Sequence, residues 1–278
     1  MSDFQWGLLV GVFCAGIIAV GFFVQRRRRQ RRHLLFNQPF TDQQTQWVTK
    51  NWVQWPQLPN ELRQRVEGLS QVMLDLTAFE ACGGLREVTD EMRFTIAAQA
   101  ALLWANQEGS RPYPDLKAIL VYPDAYKVTD ELGVESVRLG ESWSRGSVVV
   151  AWESVREGGQ NDQDGHNLVF HEFAHQLDTV NGAADGFPEL PRDVERAKWE
   201  DWPKVFSREY EVLCRETDRG RKTVLDPYGS TNEAEFFAVA VETFFEKPEK
   251  LHEEHLQLFE LLVKFFAMDP RGWSADGR

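Results

Sequence analysis

The sequence predicts an α+β domain, mostly helical with a small sheet, preceded by one N-terminal transmembrane helix. Three observations carry this. A 19-residue stretch near the start, "WGLLVGVFCAGIIAVGFFV", has no charge. Two β-rich runs, "LKAILVYP" and "SVVVAW", stand near the middle of the chain. Helical periodicity fills most of what remains.

The uncharged stretch runs from Trp6 to Val24. As a helix it spans about 28 Å, close to the hydrocarbon thickness of a bilayer. Gly7, Gly11 and Gly16 are acceptable in a membrane helix, and Trp6 suits the interface. Only Asp3 carries charge before it, while "RRRRQRR" over 26–32 supplies six arginines after it. By the positive-inside rule, the arginine end stays in the cytoplasm. A secretory signal would put positive charge first and a small-residue cleavage site last, and this segment has neither. The expected organisation is a membrane anchor with a polybasic flank over 1–32 and one folded body over 33–278.

The body begins with an aromatic-rich entry segment over 33–58. A helix is expected from Pro59 to about Leu76, because proline suits a helix start and apolar residues recur at helical spacing. "CGG" at 82–84 breaks the chain. Thr89 then caps a second helix, with Asp90 and Glu91 in its first turn. Residues 116–123 and 147–152 read as strands. The polar stretch 140–146 reads as a turn and 157–165 as a loop. The later helices are expected over about 202–217, over 233–246, and from Pro248 to about Met268.

Charge and cysteine content exclude several classes. The net charge is −12, but residues 33–278 alone hold 25 Lys+Arg against 42 Asp+Glu, a balance of −17. Such a body repels phosphates, so direct nucleic-acid binding is not expected. Cys14, Cys82 and Cys214 are scattered, with no CxxC pair. That excludes a disulfide framework or a cysteine zinc site and suits a reducing compartment.

Three of the six histidines fall in "HNLVFHEFAHQLD", 166–178. On a helix, His171 and His175 lie a turn apart on one face, where two imidazoles can grip one tetrahedral Zn²⁺. Glu172 sits about 100° round from His171, beside the metal, where a general base for bound water belongs. The pair lies within an apolar run that a solvated surface helix would not need.

A catalytic zinc needs a third protein ligand and an open position. "YGSTNEAEFFAVAVETFFE", 228–246, offers Glu235 and Glu233. Spacing favours Glu235, but Asn232-x-x-Glu235 also spells a capping box, in which that carboxylate only reaches back to a backbone N–H. Asp178 and Glu242 each lie seven residues beyond a candidate ligand and can orient an imidazole. His166 reads as the helix entry, and "HEEH", 252–255, has the wrong spacing for a metal pair. Strand 147–152 is expected to line the cleft and to pair with extended substrate.

"HEFAHQLD" followed by "YGSTNEAEFFA" resembles the gluzincin-type zincin peptidases. It looks closest to the Mlc titration factor A family and is more distantly similar to the catalytic domain of anthrax lethal factor. "VTDEMRFTIAAQAALL", "LVYPDAY", "GESWSRGSVVVAW", "NGAADG" and "LDPYGSTNEAEFFAVAVETFFEKP" extend the likeness from about residue 50 to 273. The resemblance implies a zincin-like zinc metallopeptidase that hydrolyses peptide or protein substrates and holds one Zn²⁺. It implies His171, His175 and Glu235 as metal ligands, Glu172 as general base and Tyr228 as the phenol that stabilises the oxyanion. Four residues after Glu235, where some gluzincins carry another carboxylate, this chain has Val239. The family also resembles a factor that binds a sugar-responsive transcriptional repressor, so such a repressor is a second expected partner. With the anchor, the expected location is a bacterial inner (cytoplasmic) membrane, single-pass through residues 6–24, with the catalytic body in the cytoplasm.

Overall fold

A computed structural model of the chain describes residues 3–107, 111–124, 126–129, 135–138, 140–143, 146–182, 185–188 and 201–273. The chain opens with α1 (Asp3–Phe36), α2 (Asp42–Asn51), α3 (Asn60–Leu76), β1 (Ala78–Ala81), α4 (Asp90–Trp104) and β2 (Ala118–Tyr122). The strands β3 (Tyr126–Thr129), β4 (Glu135–Arg138), β5 (Gly140–Trp143) and β6 (Ser147–Ala151) follow. The remainder is helical: α5 (Trp152–Gln160), α6 (Leu168–Asp178), α7 (Trp202–Asp218), α8 (Glu233–Glu246), α9 (Pro248–Glu254) and α10 (Leu256–Phe266).

The main sheet has the order β1-β2-β6-β5, with β1, β2 and β6 parallel and β5 antiparallel to β6. Val121 pairs with Val150, and Glu141 with Val149. β3 and β4 form a separate antiparallel pair. β2 and β6 are the inner strands, which is why their sequences are continuous apolar runs. Since β6 has partners on both sides, it has no free edge for substrate; among the described residues, β5 is the outer strand beside it. The expected turn at 140–146 is therefore a strand over 140–143, and residues 144 and 145 lie outside the described residues. Residues 183 and 184 of "NGAADG" lie outside them too.

α6 packs on β5 and β6 on one side and on α8 on the other. α8 is buried from Phe236 to Glu246, including Phe236, Phe237, Phe244 and Phe245. A helix apolar all round belongs in a core. This one is the central element against which the histidine helix is held. The expected long C-terminal helix divides at His255 into α9 and α10. The His255 Nδ1 atom lies 2.7 Å from Glu209 Oε2 on α7, so this half-buried histidine joins two helices and holds no metal geometry.

The expected transmembrane helix is overturned. Among the described residues, no helix is long and apolar enough to cross a membrane. Trp6–Val24 continues without a break into the arginine run, inside one 34-residue helix. The second half of that helix carries charge and packs on α3. Gly68 marks the crossing: a Cβ there would lie 2.0 Å from Phe36 O, so any side chain would push the end of α1 away. The inner-membrane location, the membrane attachment through residues 6–24 and the inferred orientation all fall with the span.

Candidate metal centre

α6 begins where Asn167 stops the preceding loop. Its side-chain oxygen accepts from Phe170 N at 3.1 Å, satisfying one of the free donors of the first turn. The same side chain donates to Gln99 Oε1 of α4 at 3.0 Å, and Asn167 N donates to Glu242 Oε1 of α8 at 2.8 Å. The start of the histidine helix is thereby tied to two neighbours.

From that start, His171 and His175 project from one face, with ring centroids 5.0 Å apart. α8 brings Glu235 to the same point. His171 Nε2 lies 3.0 Å from Glu235 Oε2, His175 Nε2 3.5 Å from that oxygen, and the two Nε2 atoms 3.3 Å from each other. Ligand atoms of a tetrahedral zinc bound at about 2.0–2.1 Å sit roughly 3.3 Å apart. The triangle fits such an ion, and among the described residues it is the only metal-competent group of His, Cys, Asp and Glu.

The capping-box alternative for Glu235 resolves into halves. Asn232 Oδ1 accepts from Glu235 N at 3.0 Å, while the Glu235 carboxylate turns to the histidines instead of back to the cap. Glu233 is exposed and stands outside the cluster. Burial opposes ionisation of Glu235, but the His171 and His175 imidazoles hold its carboxyl well below the usual carboxylate range. Burial would lower the His171 imidazole, yet Glu235 and Glu242 raise it well above its ordinary value.

Glu242 is the outer partner that the sequence left open. Its Oε2 lies 2.9 Å from His171 Nδ1. A carboxylate there accepts a hydrogen bond from Nδ1–H and so leaves the Nε2 lone pair facing the metal position. Val239, four after Glu235, is core instead, 1% exposed. Asp178 does not reach an imidazole hydrogen bond of this kind. Its Oδ2 accepts from Gly186 N at 2.8 Å, and burial raises its carboxyl to about 6. Gly186 has φ +76°, and a Cβ there would lie 2.6 Å from Glu233 O. Asp178 therefore pins the chain after α6 against the start of α8.

Glu172 is buried at 4% exposure. Tyr228 is 54% exposed, on a 3-10 turn over Pro227–Ser230 that Asp226 caps by accepting Tyr228 N at 2.7 Å. Its ring centroid lies 5.9 Å from that of His171. His166 precedes the helix and pairs with Asp226 at 3.5 Å, away from the cluster.

Glu246 closes α8 one turn beyond Glu242 and is 5% exposed. Burial pushes its carboxyl up to about 9, with Glu242 and Asp164 adding to the effect. Its folded pKa exceeds the ordinary 4.5, so the fold takes up a proton and loses stability as pH rises between these values. Glu246→Gln is expected to flatten that loss, which is at most about 1.4 kcal/mol per pH unit. Urea unfolding at neutral and alkaline pH checks this. An unchanged slope would mean that the carboxyl is ionised in the fold.

The chain matches the family model described as glucose-regulated metallo-peptidase M90 over residues 24–267. An uncharacterized protein of Synechocystis sp. is 44% identical over 225 residues, covering 78% of this chain and 80% of that protein. Mlc titration factor A of Pectobacterium atrosepticum is 35% identical over 164 residues, covering 55% of this chain and 59% of that protein. Mlc titration factor A of Yersinia pestis is 33% identical over 187 residues, covering 62% and 67% respectively. With a metal-competent triad at its centre and a family match over most of its length, the chain belongs to the glucose-regulated metallo-peptidase M90 family.

Proposed function

We propose that this chain is a zinc-dependent peptidase that hydrolyses peptide bonds with metal-activated water. The convergence of His171, His175 and Glu235 carries the reading. Two imidazoles and one carboxylate suit zinc, and three protein ligands leave a position open for catalysis. Zinc held there lowers the pKa of water and polarises a carbonyl oxygen. Glu172 takes the proton of the attacking water and returns it to the leaving amine. Tyr228 donates its phenol to the developing oxyanion. Glu242 holds the His171 ring and its tautomer. Extended substrate adds to the outer side of β5, the last strand of the described sheet, beside α6.

Metal analysis is the first test. The chain is expected to hold one Zn²⁺, and His171→Ala or His175→Ala to lose it. Full metal in both variants would sink the site. Tyr228→Phe is expected to lower kcat by roughly 10-fold, less than the loss of an enclosed oxyanion donor, because the ring is half exposed. Its metal content should not change, and an unaltered kcat would remove Tyr228 from the mechanism.

A second reading rests on the Pectobacterium and Yersinia relatives, which are named Mlc titration factor A. In it the chain is a regulatory protein that sequesters a transcriptional repressor, with peptidase activity secondary. Hydrolysis of a peptide library separates the two. Turnover that vanishes in Glu172→Gln supports the peptidase, and a metal-loaded wild type without turnover supports the binder.

A further inference from the structure

The arginine run is the strongest charge feature of the chain, and the metal centre uses none of it. Arg28, Arg31 and Arg32 share one face of α1 at i, i+3, i+4 spacing. That face meets the C-terminal end of α3. Arg111, from the segment ahead of β2, completes a cavity of about 550 Å³ with them. Among the described residues, the rest of the lining is Gln25, Asp75 and Leu76.

Four guanidiniums thus face one carboxylate, in a chain whose body is otherwise strongly acidic. Asp75 is already engaged by Arg31. Arg111 is steadied by donating to Pro114 O at 2.7 Å. Among the described residues, Arg28 and Arg32 have no ion-pair partner, although the body holds carboxylates in excess. Converging like charges with so little compensation repel one another and attract a multivalent anion.

We propose that this cavity binds a soluble polyphosphate group, of diphosphate or triphosphate size, between Arg28, Arg32 and Arg111. Guanidinium forks match pairs of phosphate oxygens, and each such bond is charge-assisted. Three forks not engaged by a carboxylate exceed what one orthophosphate can use, and the cavity is several times larger than that ion. No aromatic side chain stands in the described lining, so there is no platform for stacking a base. The phosphates, and not a nucleobase, are what the site reads. Arg31 is the engaged member, since its bond to Asp75 joins α1 to α3.

Calorimetric titration of the full chain with tripolyphosphate tests this. One anion per chain is expected, with affinity falling steeply as salt is raised. Arg28→Gln combined with Arg111→Gln should weaken it at least ~10-fold, since two charge-assisted contacts go. Asp75→Asn should tighten it by removing the single opposing charge. All these side chains are at the surface or in the cavity rim, and circular dichroism checks the fold of each variant. If Asp75→Asn fails to fold, the double arginine variant still decides. Tripolyphosphate also chelates metals, so His171→Ala must bind it as wild type does. Citrate, a polyanion of carboxylates, should bind more weakly. Absence of saturable binding, loss of binding in His171→Ala, indifference to the arginine substitutions, or equal affinity for citrate would each overturn the proposal. So would binding to phosphoinositide vesicles without binding to tripolyphosphate, which would make the ligand a lipid headgroup.

Discussion

Glu172→Gln is expected to keep its metal and to lose at least ~10²-fold in peptide turnover, the low end for a lost general base. The expectation follows from where helix geometry puts the side chain. Glu172 follows His171 directly, about 100° round the axis, so it flanks the ligand face without joining it. It is 4% exposed, the enclosure expected of a group that acts on one held water rather than on bulk solvent. Glutamine keeps the size and an acceptor oxygen but cannot carry the proton from water to amine. Metal content is therefore the control that separates lost chemistry from a damaged site. A Glu172→Gln enzyme as fast as wild type would rule out the mechanism, and one without metal would show that the residue supports the ligands instead.

The triad was legible for a simple reason. The helix repeat fixes the relation of His171 to His175, and it needs no tertiary information. Glu235 was half legible. Spacing favours it as ligand, but its position at a helix start also spells a cap, and the rival Glu233 lies two residues away. What separates them is the packing of α8 against α6, which brings the Glu235 carboxylate to 3.0 Å from His171 and leaves Glu233 outside. Glu242 and Asp178 show the same limit. Both stood seven residues from a candidate ligand, but only the fold sends one to His171 Nδ1 and the other to Gly186 N.

The errors have physical causes as well. β1 is four residues long and mostly exposed, so it has no apolar pattern to read; only its pairing with β2 makes it a strand. β5, with the sequence GESW, is as short and has no apolar alternation, so it looks like a turn. α5 begins directly on Trp152, where strand and helix abut without a loop. In α1 the uncharged run reads as a membrane span as long as the arginines count only as its flank. The arginines instead lie in the second half of the same helix, where Arg31 pairs with Asp75 of α3. Local hydrophobicity was legible there, while the partner of the helix was not.

Glu235→Ala is expected to weaken metal binding by more than the ~10–100-fold that loss of an outer partner costs, while Glu233→Ala leaves it nearly unchanged. Both residues lie in the first turn of α8, and both carry a carboxylate near the helix N-terminus. They therefore share any contribution to helix stability, and they differ in direction. Glu235 points to the two histidines, and their imidazoles hold its carboxyl ionised. Glu233 is exposed. Glu242→Ala provides the intermediate case: it removes the hydrogen bonds to His171 Nδ1 and Asn167 N but no ligand, so its loss should fall within that ~10–100-fold range. Competition with a chelator of known affinity, followed by metal analysis, ranks the three variants. Equal losses at 233 and 235 would mean that the helix start had been damaged. A larger loss at 233 would assign the third ligand to the other carboxylate, and with it a different register of α8 against the histidine helix.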